Sequence, residues 1–194
     1  MFNVASYLHA ADVAVDVPSL GELVVDIAYG GNFYAVIEPQ TNWRGLDGMS
    51  ASEIVDLSQR IRDALTLVCH PVHPGDERIG GVHHAIWCDK PTSDKADGRG
   101  AVFYGDKAID RSPGGTGTSA RMAQLHGKGR LKVGDAFRQE SLIGTVFEGR
   151  IEAETTVGSF KGIEPSVGGW ARIIGHNTIF VDDRDPLAHG FQIK

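Results

Sequence analysis

Only two stretches of this 194-residue chain carry a helical pattern, and several short runs of alternating apolar and polar residues separate them. Strict βαβ alternation would need a helix after nearly every strand. The pattern therefore predicts an α+β fold with a mixed β-sheet around a helix. The first helix is announced by Ser50 and Glu53, which have the S-x-x-E spacing of a capping box. Ile54, Leu57, Ile61, Leu65 and Val68 follow at threes and fours on one face, ahead of Pro71. The second helix is expected over Thr116 to Lys128, where Ala120, Ala123 and Gln124 permit close packing and Gly127 and Gly129 can stop it.

Glu22 to Ala28 and Asn32 to Glu38 read as neighbouring strands, with Gly30 and Gly31 supplying the turn. Val82 to Cys88 and Ala101 to Tyr104 also read as strands, separated by a polar loop from Asp89 to Gly100. Later strand-like runs are TVFEGRIEAETTV (145–157), GWARII (169–174) and HNTIFVDD (176–183). No repeat or low-complexity segment interrupts the chain.

A hydrophobic fraction of 41% with 23% charged residues is that of a globular protein rather than a disordered one. The net charge of -6 argues against a nucleic-acid surface, which needs clustered Lys and Arg. A small anion is not excluded, because a cradle of backbone N–H groups works whatever the global charge. The N-terminus has no basic stretch followed by an apolar core, and no apolar run reaches ~18 residues. The reading is a cytoplasmic protein with no membrane partner. Cys69 and Cys88 form neither a disulfide framework nor a CxxC motif, so they read as buried thiols.

The chemistry-bearing stretch is DRSPGGTGTSA, residues 110–120. Gly114, Gly115 and Gly117 bring amide N–H groups to a helix N-terminus, where free donors and the helix dipole favour a carboxylate. Pro113 fixes the approach, and Asp110 can accept hydrogen bonds from an ammonium group. Together they suit the two ends of an amino acid; the plainer alternative is a glycine turn before a helix. Gly115, Gly117 and Ala120 also spell G-x-G-x-x-A, with Asp135 about twenty residues on, as a dinucleotide site requires. The context argues against it, because Asp110 to Pro113 stand where a strand should run into the first glycine, and Asp135 sits in a polar KVGD turn. Cys69 with His73, and His84 with Cys88, have zinc-like spacings beside His70 and His83. The first pair straddles Pro71 and the second lies on a strand, so no metal is expected. Asp182, Asp183 and Asp185 read as a solvated turn rather than a cation site. Trp87 and Trp170 read as core or cleft-wall aromatics, and Arg111 and Lys128 as surface charges.

GNFYAVIEPQ (31–40), AVFYGDKAIDRSP (101–113), GTGTSARMAQL (115–125) and GWARIIGHNTIFVDDRDPLAHGF (169–191) together resemble the proline racemase family, most closely its 4-hydroxyproline epimerases. The resemblance runs over nearly the whole chain. It implies a diaminopimelate-epimerase-like fold, with two similar domains that each wrap a sheet around a central helix. It implies a cofactor-independent isomerase that moves the α-proton of a proline-type amino acid between two cysteines. By position, Asp110 would contact the substrate nitrogen and Gly115 with Thr116 the carboxylate. Tyr104 would line the pocket wall. His84 would contact the substrate at its ring hydroxyl; without the resemblance it reads as a partly buried strand histidine.

Two departures stand out. Gly114 occupies the position of a catalytic cysteine in the S-P-C-G-T-G pattern, or of the threonine in the trans-3-hydroxyproline dehydratase branch. The M-C-G-H type motif that carries the other cysteine is absent from these residues. The resemblance therefore implies that residues 1–10 finish a mostly missing first domain, 11–172 form the second, and 173–194 return to the first. Such a chain is expected to be inactive alone, with hydroxyproline or proline as its small-molecule partner. Its unpaired edges favour a homo-oligomer or a complementing half-chain. The rival reading is a non-catalytic remnant that binds a small carboxylate or amino acid.

Overall fold

Among the described residues, 1–43 and 45–190 of a computed structural model, the chain forms eleven strands and two α-helices. It begins with three consecutive antiparallel strands of one sheet: β1 (Ser6–Val17), β2 (Gly21–Tyr29) and β3 (Phe33–Ile37). Next come α1 (Ala51–Leu65) and a small hairpin of β4 (Val72–His73) and β5 (Asp76–Gly80). Then follow β6 (His84–Asp89), β7 (Gly98–Tyr104), β8 (Ala108–Ile109) and α2 (Gly115–Gly127). The last strands are β9 (Ala136–Ser141), β10 (Val146–Val157) and β11 (Phe160–Gly168).

Apart from the β4–β5 hairpin, the strands form one sheet in the order β6-β3-β2-β1-β11-β10-β9-β7-β8, and a further β6–β7 pairing closes it on itself. That closing seam runs antiparallel from Ala85↔Phe103 to Asp89↔Arg99. β3–β6 and β7–β9 are parallel and the other pairings antiparallel, so the sheet is mixed. α2 lies inside, packed against β1, β2, β3, β10 and β11. The expected sheet around a helix is what forms.

Strand alternation sorts side chains into two layers. On the inner face, Ala28, Tyr34, Val36, Ile86, Cys88 and Val102 pack with Ala120 of α2. On the outer face, Ala35, Ile37, Ala85, Trp87, Ala101 and Phe103 pack with Ile54, Ile61 and Leu65 of α1. Trp87 is fully buried there, and its Nε1–H donates to Ser58 Oγ at 2.8 Å. A third cluster joins Met122, Ala123 and Leu125 to Phe137, Ile151, Ile163 and Val167 on the opposite side of the helix.

α1 is capped as its sequence predicts: the Ser50 side chain accepts from Glu53 N–H, and the Glu53 carboxylate accepts from Ser50 N–H at 2.7 Å. It stops three residues short of Val68, which is exposed, and Ser58 joins the buried face. α2 is a different kind of helix. Every residue from Gly117 to Leu125 is buried, so it has no polar face, and small side chains let the sheet come close on all sides. At Gly30 a Cβ would stand 2.3 Å from the Thr116 carbonyl oxygen and 2.4 Å from Ala120 N. Gly30 is thus required by contact with the helix, while the turn itself needs glycine at Gly31, whose φ is 114°.

The polar residues buried with α2 are paired at its C-terminal half. Arg121 contacts Glu38 at 2.9 Å and donates to Gln124 Oε1 at 2.7 Å. Gln124 donates to Asp26 at 2.6 Å, Lys128 reaches Asp26 at 2.7 Å, and Arg130 reaches Glu38 at 2.7 Å. Burial alone would raise the Glu38 carboxyl, but Arg121 and Arg130 hold it below the usual range. Lys128, expected as a surface charge, is a member of this network.

Ser6 and Tyr7 pair with Ile163 and Gly162, and Phe2 bridges Ser166. Two expectations are corrected. β7 begins at Gly98, inside the expected loop. The runs 169–174 and 176–183 form no strand, because no neighbouring strand takes up their backbone groups. Ile173, Ile174, Ile179 and Phe180 are 83–90% exposed. No described helix is long and apolar enough to cross a membrane.

Two substitutions test this packing. Gly30→Ala drives a methyl into the α2 backbone and is expected to cost about 3 kcal/mol in urea unfolding. A loss under about 0.5 kcal/mol would show that the helix does not touch this turn. Arg121→Ala strands buried carboxylate and amide groups and is expected to cost about 3 kcal/mol by the same measurement.

Candidate amino-acid site at the buried helix N-terminus

The two parallel strands β3 and β6 start at the end of the closed sheet where α2 also starts, and Tyr34 and His84 stand opposite each other in register. β7 ends there. Tyr104 shares the inward parity of Val102 and is 44% exposed at the rim. The chain then passes through β8 and the loop at Asp110 to reach α2.

Gly114 is the N-cap of α2, at φ 74° and ψ 119°, and offers no side-chain acceptor. The first bond of the helix runs from Thr118 N–H to the Gly114 carbonyl at 2.8 Å. The N–H groups of Gly115, Thr116 and Gly117 therefore lack intrahelical acceptors, and no acidic side chain occupies the first turn. α1 satisfies its own first turn with a capping box; α2 keeps its donors free at an exposed Gly115. This end of the helix suits an anion.

The approach loop is held by an acid. Asp110 Oδ1 accepts from Ser112 N–H at 2.8 Å and from Ser112 Oγ at 2.9 Å, and Ser112 Oγ accepts from Gly114 N–H at 3.2 Å. Oδ2 faces Gly114, 3.7 Å from where a Cβ there would sit, so one carboxylate oxygen organises the loop while the other looks onto the helix N-terminus. Asp110, Gly114, Gly115 and Thr116 are thus brought together. His84 joins them through Tyr34, whose hydroxyl is 2.7 Å from Thr116 Oγ1 and whose ring centroid is 5.0 Å from that of His84.

His84 is half-buried and its Nδ1 has no partner. Burial, then the neighbouring His83 and Arg62, push its pKa below 6.5, so the imidazole is neutral at pH 7. Tyr34 and Ser112 are the residues the sequence reading missed. Tyr34 had a signal in NFYAVIE, where it shares inward parity with Val36 at a strand start; Ser112 had none, because its role depends on loop geometry.

The other candidates fall elsewhere. Asp135 caps a turn, accepting from Lys132 N–H at 2.8 Å between α2 and β9. The strand–glycine–helix order of a dinucleotide site is absent, since the Asp110 loop precedes α2. Cys88 is fully buried among inner-face residues, and burial pushes its thiol up to about 11. Asp182 is engaged by Arg184 at 2.7 Å. Trp170 is 65% exposed, with the Arg172 guanidinium 5.1 Å from its ring centroid.

Known proteins share this architecture. The family described as proline racemase matches residues 1–192. A 4-hydroxyproline 2-epimerase 2 of Rhizobium rhizogenes is 79% identical over 194 residues, which are 100% of this chain and 58% of that protein. A 4-hydroxyproline 2-epimerase of Shewanella loihica is 53% identical over 193 residues, 100% of this chain and 58% of its own length. The crystal structure of a hydroxyproline epimerase from Agrobacterium vitis with bound trans-4-hydroxy-L-proline matches at TM-score 0.86 and 30% identity, covering 99% of this chain and 55% of that one. A probable proline racemase from Agrobacterium radiobacter K84 with bound carbonate matches at TM-score 0.85 and 32% identity, covering 99% and 56%. The chain spans rather more than half the length of these relatives.

A pH dependence follows from His84. A histidine with a lowered folded pKa carries more protons unfolded than folded, so stability rises with pH up to about 6.5 and falls on acidification below it. His9 is shifted the same way by burial. The thermal midpoint is expected to drop between pH 7 and pH 5.5, and His84→Gln to drop less. An unchanged slope in that variant would remove His84 as a source.

Proposed function

Because the chain belongs to the proline racemase family, we propose that it carries one wall of a 4-hydroxyproline epimerase site, the wall that grips the amino acid. The uncapped N-terminus of α2 beside the Asp110 carboxylate carries this reading. The N–H groups of Gly115 and Thr116 receive the substrate carboxylate, Asp110 the ring nitrogen and His84 the ring hydroxyl, with Tyr104 at the rim. The resemblance to relatives named for hydroxyproline supports that choice of substrate.

An amino-acid α-proton is weakly acidic. Its transfer needs a neutralised carboxylate and a base on each face of the carbon. Gly114 stands where the family pattern has a cysteine and can move no proton. The opposite face belongs to a second, diaminopimelate-epimerase-like domain, to which residues 173–194 return and whose other base lies outside these 194 residues. A complementing half-chain or a homo-oligomer would supply that wall and cover the exposed Ile173, Ile174, Ile179 and Phe180. The 194-residue chain alone therefore binds and does not epimerise. The bare carboxylate cradle also favours a second reading, a non-catalytic amino-acid binder.

Both halves are testable on the chain. Titration with trans-4-hydroxy-L-proline is expected to shift the amide resonances of Gly115, Thr116 and Gly117, and Asp110→Ala to weaken binding about tenfold or more. Unmoved amides at saturating ligand would reject the binding role. In D2O the chain is expected to exchange no α-proton above the no-protein rate, and Gly114→Cys alone not to restore exchange. Exchange that disappears in Asp110→Ala would overturn the inactive-chain reading.

A further inference from the structure

Tyr34 is only 3% exposed, yet its hydroxyl reaches the first turn of α2. The neighbouring hydroxyls of that helix turn back on its own backbone: Ser119 Oγ donates to the Gly115 carbonyl at 3.0 Å and Thr118 Oγ1 to the Pro113 carbonyl at 3.5 Å. Thr116 does neither. Its Cγ2 lies against Gly31, where a Cβ would come within 2.8 Å, and its Oγ1 lies on the Tyr34 hydroxyl. Contacts on both branches select one χ1 rotamer, whereas a threonine in a helix otherwise divides between two. The same tyrosine ring packs against His84, whose Nδ1 is without a partner.

We propose that Tyr34 is a positioning residue of this site: its O–H donates to Thr116 Oγ1, which frees the Thr116 O–H for the substrate carboxylate, while its ring sets the plane of His84. This rests on the mouth of the closed sheet being an amino-acid site. Burial raises the Tyr34 pKa, the hydrogen bond with Thr116 opposes the rise and the Asp110 carboxylate adds to it. The phenol thus keeps its proton, and its donor, around neutral pH. The hydroxyl of Thr116 then complements the free N–H groups of Gly115 and Thr116 as a third donor to one carboxylate.

Tyr34→Phe keeps the ring and removes the hydroxyl. Three-bond couplings to Thr116 Cγ2 are expected to report a single rotamer in the parent chain and an average of two in the variant, with amides remote from the mouth unmoved. Affinity for trans-4-hydroxy-L-proline is expected to fall about three- to tenfold, the span of one lost hydrogen bond. Thr116→Val and the Tyr34→Phe/Thr116→Val pair are expected to bind equally, because the phenol acts through Thr116. A single Thr116 rotamer in Tyr34→Phe, or an additive loss in the pair, overturns the proposal. If the parent chain fails to bind hydroxyproline but the rotamer responds as stated, the amino-acid reading falls and takes the role toward the carboxylate with it, while the hold of Tyr34 on the Thr116 rotamer stands. Should Tyr34→Phe not fold, Thr116→Ser is expected to hold affinity within about twofold while Thr116→Val loses it. Equal affinities of those two variants would overturn the proposal.

Discussion

The structure depends on burying a helix along its length. α2 has no water-facing side from Gly117 to Leu125, so every polar group it carries needs a protein partner or a ligand. At the C-terminal half the partners are side chains: Arg121 and Gln124 meet Glu38 and Asp26, and Lys128 and Arg130 bring further charge from the rim. At the N-terminal end no side chain caps the helix. The sheet that closes around α2 thus leaves one end satisfied internally and the other open to an anion.

The same constraint sets the residues nearest the helix. Gly30 permits the β2–β3 turn to touch the backbone of α2, and Ala120 and Ala123 keep the sheet close elsewhere. Larger residues at these points would push the sheet outward and open the β6–β7 seam. α1 carries a different burden. It covers the outer face of β1, β6 and β7 with Ile54, Ile61 and Leu65, and its capping box spares it any partner at the N-terminus. One helix supports the sheet from outside; the other is enclosed and presents its dipole at the mouth.

Much of this was legible in residue patterns because local rules govern it. The capping box at Ser50 and Glu53, the alternation in β2, β3 and β6, and the glycines at the start of α2 each encode their structure within a few positions. What was not legible arises from distant partners. The strand Ser6–Val17 escaped notice because irregularities between Leu8 and Val13 break its alternation against β2, and its other partner, at Gly162 and Ile163, lies nearly the whole chain away. Residues 169–183 have strand composition but no strand, because a strand exists only where another supplies hydrogen bonds. Asp110, Gly115, Thr116 and His84 were singled out from the sequence, and the structure places them at one end of the closed sheet; Tyr34 carried only the parity of its strand. Its hydroxyl matters only after β3 and α2 are brought together.

Gly114 is more than a missing side chain. A helix N-terminus both attracts a carboxylate and lowers the pKa of a thiol placed on it, so a cysteine there would draw two uses from one field. With glycine only the first remains. There is room for a side chain, since a Cβ would meet only Val102 and Asp110 at 3.6–3.7 Å. The obstacle is the backbone, whose φ of 74° is one that side-chain-bearing residues adopt at a cost of about 1–2 kcal/mol. Returning a thiol to this position would have to turn the peptide that now orders Ser112 and Asp110. The backbone at Gly114 and the loop that turns Asp110 toward the helix N-terminus are therefore coupled: that loop geometry is one that glycine readily permits.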